Sequence, residues 1–248
     1  MTEKFSIIIP AYNEENRIGQ TLRSISGYVR GRSLDCELIV VDDGSADGTA
    51  EVVTQELKSL PGIRARLLMN GANRGKGFSV RRGMLEADGD LLLFTDADLS
   101  TPIEDFDKLR NALEEGCDVA IGSRAVAGAR VEIHQNLLRE TMGKIFNRIA
   151  RVFTFRDISD SQCGFKAFKR QAAYDLFGSA RIDGFSFDAE VLFLAQKRGY
   201  KVKEVPVTWR NSPASKVAIL SDPVKMFLEL FLIRILHFGH AKSGFKKN

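Results

Sequence analysis

Four short apolar runs, each stopping on polar residues, constrain this chain more than any other feature. FSIIIP (5–10) runs into AYNEEN, CELIVV (36–41) into Asp42-Asp43-Gly44-Ser45, LLLF (91–94) into TDADLST, and VAIG (119–122) into Ser123-Arg124. Apolar runs this short, bounded by turn chemistry, read as buried strands. Ala65–Met69 reads as one more. Between the runs lie helical signals. Ile18, Leu22, Ile25 and Val29 fall at i, i+4, i+7 and i+11, and further helices are expected over about Thr49–Leu60 and Lys76–Ala87. Another, with Pro102 in its first turn, runs to Glu115. Strands alternating with helices imply βαβ units and a mostly parallel α/β sheet flanked by helices. Ligands of such sheets bind beyond the carboxyl ends of the strands. Those ends carry Asn13-Glu14, Asp42-Asp43, Asp96 and Asp98, and Ser123-Arg124.

Composition sets outer bounds. At 248 residues with 44% apolar and 27% charged content, the chain can bury a core without disulfides. Cys36, Cys117 and Cys163 match neither a disulfide framework nor metal-ligand spacing, which points to a reducing compartment. A net charge of +4 is too small to argue for nucleic acid. The tail from Lys242 to Lys247 is basic, a weak pointer to an anionic surface. No signal peptide is visible, and no run approaches the ~20 apolar residues of a spanning helix.

The second half is less regular. A helix over about Leu137–Phe153 puts Leu138, Met142, Ile145, Ile149 and Val152 on one face, with Arg139, Lys144, Arg148 and Arg151 off it. DSQCGFKAF (160–168), GFSFDAEVLFLAQ (184–196), a strand-like VKEVPVTW (202–209) and an apolar C-terminal helix follow. The organisation expected is one main domain over 1–216 and a C-terminal helix with a basic tail over 217–248, a segment open to membrane association. The three histidines show no ligand spacing.

The acids carry the sharpest question. Alternate strand residues point the same way, so Asp96 and Asp98 can present two carboxylates to one point. Buried without partners the pair would repel itself, and a divalent cation resolves the conflict. Oxygen ligands plus water suit Mg²⁺ or Mn²⁺ bridging to phosphates. A solvated turn with Asp98 or Ser100 capping the next helix is the plain alternative. Asp42-Asp43-Gly44-Ser45 alone is a turn composition, but acids beyond neighbouring strand ends are more than turns require. The first strand does not lead into Gly-x-Gly-x-x-Gly, and GANRGKG (71–77) lacks P-loop spacing. Arg124, Arg139, Arg210 and Lys216 are each, taken alone, ordinary surface cations.

Taken together, IIIPAYNEE, VVDDGSADGT, NRGKG, FTDADLST, IGSR, QCGFKAF and FDAEVLF resemble, in this order, the family-2 glycosyltransferases of the GT-A fold. More narrowly they resemble the polyprenyl-phosphate glycosyltransferases. DSQCGFKAFKRQAAYDLF and EVPVTWRNSPASK are most similar to the dolichyl-phosphate β-glucosyltransferase branch. The resemblance runs from about Phe5 to Lys216. It implies that Pro10, Ala11, Tyr12, Asn13, Glu14 and Asp43 line the nucleobase and ribose site, and that Lys76 lies close to the nucleotide-sugar. It implies Asp98 as main metal ligand, with Asp96 on the nucleotide side of a Mg²⁺ or Mn²⁺ ion, and Arg124 and Arg139 on the acceptor's phosphate. Arg210, Ser215 and Lys216 match the family's R-x-x-G-x-S-K pattern, whose basic residues approach the phosphates; Pro213 stands where that pattern has Gly.

The reaction so implied moves glucose from UDP-glucose to a polyprenyl (dolichyl or undecaprenyl) phosphate, with inversion. Asp188, in FDAE, is a candidate for orienting the sugar or acting as base; a plain helix N-terminal acid is the alternative. The acceptor stays in a bilayer, and the membrane helix that begins the family's eukaryotic glucosyltransferases is not seen in this sequence. Peripheral attachment to the cytoplasmic face of a membrane is therefore expected, with helix 137–153 as a candidate interfacial helix. The C-terminal helix suits lipid and a partner chain equally, which leaves a homo-oligomer open. A GDP-mannose-dependent polyprenyl-phosphate mannosyltransferase, a soluble family-2 enzyme with a small acceptor, and a binding protein that lost catalysis remain alternatives.

Overall fold

The computed structural model describes residues 3–60, 62–133, 154, 157–210 and 222–238. The expected alternation is present: β1 (Lys4–Ala11), α1 (Ile18–Gly31), β2 (Asp35–Asp42), α2 (Thr49–Lys58), β3 (Arg64–Met69), α3 (Lys76–Glu86), β4 (Leu91–Thr95), α4 (Phe106–Glu114) and β5 (Val119–Ser123). Then come β6 (Arg130–Ile133), β7 (Phe165–Lys169), α5 (Arg170–Ser179), α6 (Phe187–Arg198), β8 (Val202–Pro206), β9 (Thr208–Arg210) and α7 (Asp222–Leu236). Seven strands form one sheet in the order β3-β2-β1-β4-β7-β5-β8. Only β7 runs antiparallel to its neighbours, β4 and β5; the other pairs are parallel.

Strands β1, β2, β4 and β5 are largely apolar because both faces of the sheet are covered there, while the edge strands β3 and β8 carry Arg64, Arg66, Lys203 and Glu204. Ile7 and Ile9 of β1 join the core cluster under α1, α2 and α4. Ile8, between them, points the other way, into the cluster under α3, α5, α6 and α7. The α1 stripe behaves as its spacing predicts: Ile18, Leu22, Ile25 and Val29 are all buried. The inner side of α7 reaches the second cluster through Leu230 and Ile233.

Two local expectations change, and a strand appears where the sequence assigned no element. Pro102 does not open the helix; its ψ of 140° is extended, a 3₁₀ turn spans Ile103–Asp105, and α4 starts at Phe106. VKEVPVTW divides between two sheets, because the chain leaves the ladder with β5 at Pro206, and Thr208–Arg210 pairs instead with β6. QCGFKAF contains β7, an inserted antiparallel strand whose amino end lies beside the carboxyl end of β4 through the pairing of Phe165 with Thr95. That register brings Cys163 and Gly164 to the acids.

Candidate active site

The sheet order reverses at β1/β4, where successive crossovers diverge and leave a crevice beyond the strand ends. One wall is a stitched pair of loops. Asn13 adopts the left-handed conformation (φ 53°), which asparagine tolerates. Its N–H donates to Ser45 Oγ (2.9 Å) and its Oδ1 accepts from the Ala46 N–H (2.8 Å), while the Glu14 N–H donates to Thr49 Oγ1 (2.7 Å). Pro10–Glu14 and the loop after Asp42 thus form one surface.

Asp43 anchors the next loop. Its buried carboxylate accepts from Asn70 Nδ2 (2.7 Å), the Arg74 N–H (2.9 Å) and the Gly75 N–H (2.8 Å). This fixes NRGKG so that Lys76, the first residue of α3, reaches Asp96 Oδ1 at 2.6 Å. Burial alone would lower the Lys76 pKa, but the carboxylates of Asp96 and Asp188 outweigh it and hold the ammonium above its ordinary value.

Asp96 and Asp98 lie just past β4, as the sequence predicts, but the strand ends at Thr95 and both acids sit in the following turn, so strand alternation does not align their carboxylates. Asp98 Oδ1 accepts from the Ser100 N–H (2.9 Å), while Oδ2 stands 3.8 Å from Arg17 Nη1. Arg17 is also held by the Glu14 carboxylate at 2.5 Å. Gly164 abuts Asp96 so closely that a Cβ there would overlap the Asp96 carboxylate. Among the described residues, no group of three or more His, Cys, Asp and Glu side chains could hold a metal ion.

On the other side of β7, Arg124 closes β5. Its Nε and Nη2 grip Asp160 (2.7 and 2.8 Å), whose Oδ2 also accepts the Arg124 N–H (2.9 Å), and the guanidinium lies 5.2 Å from the Trp209 ring centre. Glu204 accepts the N–H groups of Ser159 and Asp160 (2.7 and 2.9 Å), fixing the turn. Burial works against both charges, but each is outweighed by its partner: the Asp160 pKa lies below its ordinary value and that of Arg124 above. Arg210, on β9, donates its N–H to the Ser100 carbonyl (2.8 Å), beside the Asp98 turn, while its guanidinium pairs with Glu132 (2.6 Å). Arg139, Ser215 and Lys216, and helix 137–153, lie outside the described residues.

Asp188 sits in the first turn of α6, buried, with Oδ1 2.5 Å from Lys166 Nζ. Burial raises the Asp188 pKa, and the charges of Lys166 and Lys76 oppose that shift. Lys166, also buried, donates to the Cys163 carbonyl at 2.6 Å. The Cys163 thiol is pushed up to about 11, chiefly by burial, so it stays protonated at neutral pH. The sequence alone assigns no role to Lys166, Asp160, Arg17 or Gly164. A lysine inside the apolar run GFKAF is the one available signal.

The profile of the family described as "Glycosyl transferase family 2" matches residues 6–177. The chain belongs to this family. Similar relatives are dolichyl-phosphate beta-glucosyltransferases of Trichomonas vaginalis (37% identical, covering 93% of this chain and 70% of the relative) and of Drosophila melanogaster (36%; 96% and 76%). That of Saccharomyces cerevisiae is 33% identical, covering 94% and 74%. Among solved structures, glucosyl-3-phosphoglycerate synthase of Mycobacterium tuberculosis superposes with a TM-score of 0.69 at 21% identity, covering 98% of this chain and 83% of that one. A complex of that synthase with Mn²⁺, UDP-glucose and phosphoglyceric acid gives 0.68 at 20%, covering 98% and 82%. These likenesses bear out the expected GT-A architecture of this family-2 glycosyltransferase.

Proposed function

We propose that the protein transfers glucose from UDP-glucose to the phosphate of a polyprenyl phosphate in a single inverting displacement. The observation that carries this is the pairing of Lys76 with Asp96, within electrostatic reach of Asp98 on one side and Arg124 on the other, in a chain whose similar relatives are dolichyl-phosphate glucosyltransferases. Pro10–Glu14 and the Asp43-anchored loop form the wall against which the nucleoside would lie. Lys76, held as a cation, would meet the diphosphate.

Asp98 and Asp96 fit a Mg²⁺ or Mn²⁺ ion, because such ions need only one or two carboxylates and complete their shell with water and substrate phosphates. Bound there, the ion would neutralise charge on the departing UDP. An acceptor phosphate monoester has a second pKa of about 6 and is ionised at neutral pH, so its oxygen attacks C1 without a strong base. The C1–O bond to UDP breaks and UDP leaves with the electron pair. Arg124, its Nε and Nη2 already fixed by Asp160, is a prearranged cation for the acceptor's phosphate. Asp188, enclosed with Lys166, is better suited to orienting neighbours than to moving a proton.

The peripheral membrane reading follows from the acceptor; among the described residues no helix is long and apolar enough to cross a bilayer. A donor panel against a short polyprenyl phosphate with Mn²⁺ tests the proposal. UDP-glucose should be the fastest donor, with activity lost in Asp98→Asn. Faster transfer from GDP-mannose overturns the donor, and full turnover in Asp98→Asn overturns the metal's role.

A further inference from the structure

The second core cluster takes in only one side of α7. Leu230 and Ile233 are fully buried, and His237, just beyond the helix, is nearly so. His237 Nε2 donates to the buried carboxylate of Glu190 on α6 at 2.7 Å, and Lys197 Nζ donates to the His237 carbonyl. The opposite side is apolar and open: Leu228 is 62% exposed, Ile235 71% and Phe238 90%, with Phe227, Phe231 and Leu232 between them. Residues 239–248, GHAKSGFKKN, follow with Lys242, Lys246 and Lys247 and no acid. An apolar helix face, followed in the sequence by a cationic segment, has the chemistry of a site for an anionic lipid surface.

The buried side of α7 leads to the donor site. Ser186 Oγ donates to the Met226 carbonyl (3.3 Å), and a Cβ on Gly184 would lie 3.2 Å from Glu229 Oε1. The same turn receives the NRGKG loop: the Phe78 N–H donates to the Asp183 carbonyl (3.2 Å), and Gly75 and Gly77 abut the carbonyls of Asp183 and Ile182. Asp188 follows directly.

We infer that the outer face of α7 docks on an anionic bilayer, and that its inner face ties this docking to the 182–188 turn beside Lys76. The inference rests on the polyprenyl-phosphate reading for its purpose, but its test does not. The triple variant Leu228→Ser/Ile235→Ser/Phe238→Ser alters side chains that face outward. It should keep the wild-type unfolding midpoint while losing about tenfold or more in co-sedimentation with phosphatidylglycerol vesicles, since binding scales with buried apolar area. Wild-type binding should weaken with salt. As an independent measurement, Ile235→Cys supplies an exposed thiol in a chain whose Cys36, Cys117 and Cys163 are all buried. Vesicles should slow its labelling by a water-soluble thiol reagent, and should slow amide exchange at 182–188 in the wild type but not in the triple variant.

Unchanged sedimentation of the triple variant, or unchanged labelling of the Ile235→Cys variant, overturns the docking surface. So does a wild-type dimer that the triple variant abolishes, with neither protein binding vesicles, because a second copy then covers α7. Unchanged exchange at 182–188 overturns the link to the site. Vesicle binding as expected, with no polyprenyl phosphate used in any form, supports the docking surface and rejects the acceptor reading instead.

Discussion

Gly164 and Asp96 show how one atom can separate function from stability. The backbone of Gly164 lies outside the left-handed region, so alanine there meets no conformational strain; the obstacle is the Asp96 carboxylate, which the added methyl would overlap. The carboxylate can swing away at little cost to the fold, but it then leaves Lys76 and the position proposed for the metal. Gly164→Ala should therefore keep an unfolding midpoint close to wild type while turnover falls about 100-fold, the scale of an ångström-sized misplacement at a reacting centre. Steady-state rates beside a thermal melt check both halves. Asp160 makes the opposite kind of contribution. Its pKa is lower in the folded chain than its ordinary 3.8, so the folded state binds its proton less readily than the unfolded state does. The stability this supplies is complete above pH 3.8 and is lost as pH falls through the folded value. The gap in urea midpoint between wild type and Asp160→Asn should be wide at pH 7 and narrow steadily below about pH 4. A gap independent of pH would mean that the Arg124 fork contributes packing rather than charge.

At the scale of elements, the decisive piece is β7, whose insertion between β4 and β5 carries Gly164 and Lys166 to the site. Strands β1, β2, β4 and β5 were legible because each is a run of apolar residues ending on polar ones, and their ends named Asp43, Asp96, Asp98 and Arg124 directly. β7 was not, because Lys166 interrupts GFKAF and the strand runs against its neighbours. Nor could the sequence show what Lys166 and Arg124 grip: Asp188 is 22 residues from Lys166 and Asp160 is 36 from Arg124, and only the fold closes those distances. The loop that presents Lys76 yields a prediction contrasting with that for Gly164. Gly75 has φ +103°, and a Cβ on it would overlap the Asp183 carbonyl oxygen, which is backbone and cannot swing aside. Gly75→Ala should cost about 1–3 kcal/mol of stability from its strained conformation alone. Chemical unfolding should show this loss even before any donor is added.

The whole molecule places its proposed donor wall on β1, β2 and the α3 loop and its proposed acceptor cation on β5, with β4 and β7 between them. Donor binding should therefore draw on elements far apart in the chain, and ligand affinity should appear as global stability. A ligand that binds only the folded chain adds about 2.7 kcal/mol at a concentration 100 times its dissociation constant. For a chain of this size each kcal/mol moves the melting midpoint by roughly 2–4 °C, so saturating UDP with Mn²⁺ should raise it by about 5–10 °C. In the proposed site Asp96 and Asp98 alone would hold the ion weakly, and a bound diphosphate would add further oxygen ligands. The shift with UDP and Mn²⁺ together should then exceed the sum of the two separate shifts, and chelation should return the midpoint to that of UDP alone. Asp98→Asn should keep the UDP shift and lose the excess. Additive shifts in the wild type, measured by differential scanning fluorimetry, would show that nucleotide and metal do not share a site here, and would remove the metal from the mechanism proposed for this fold.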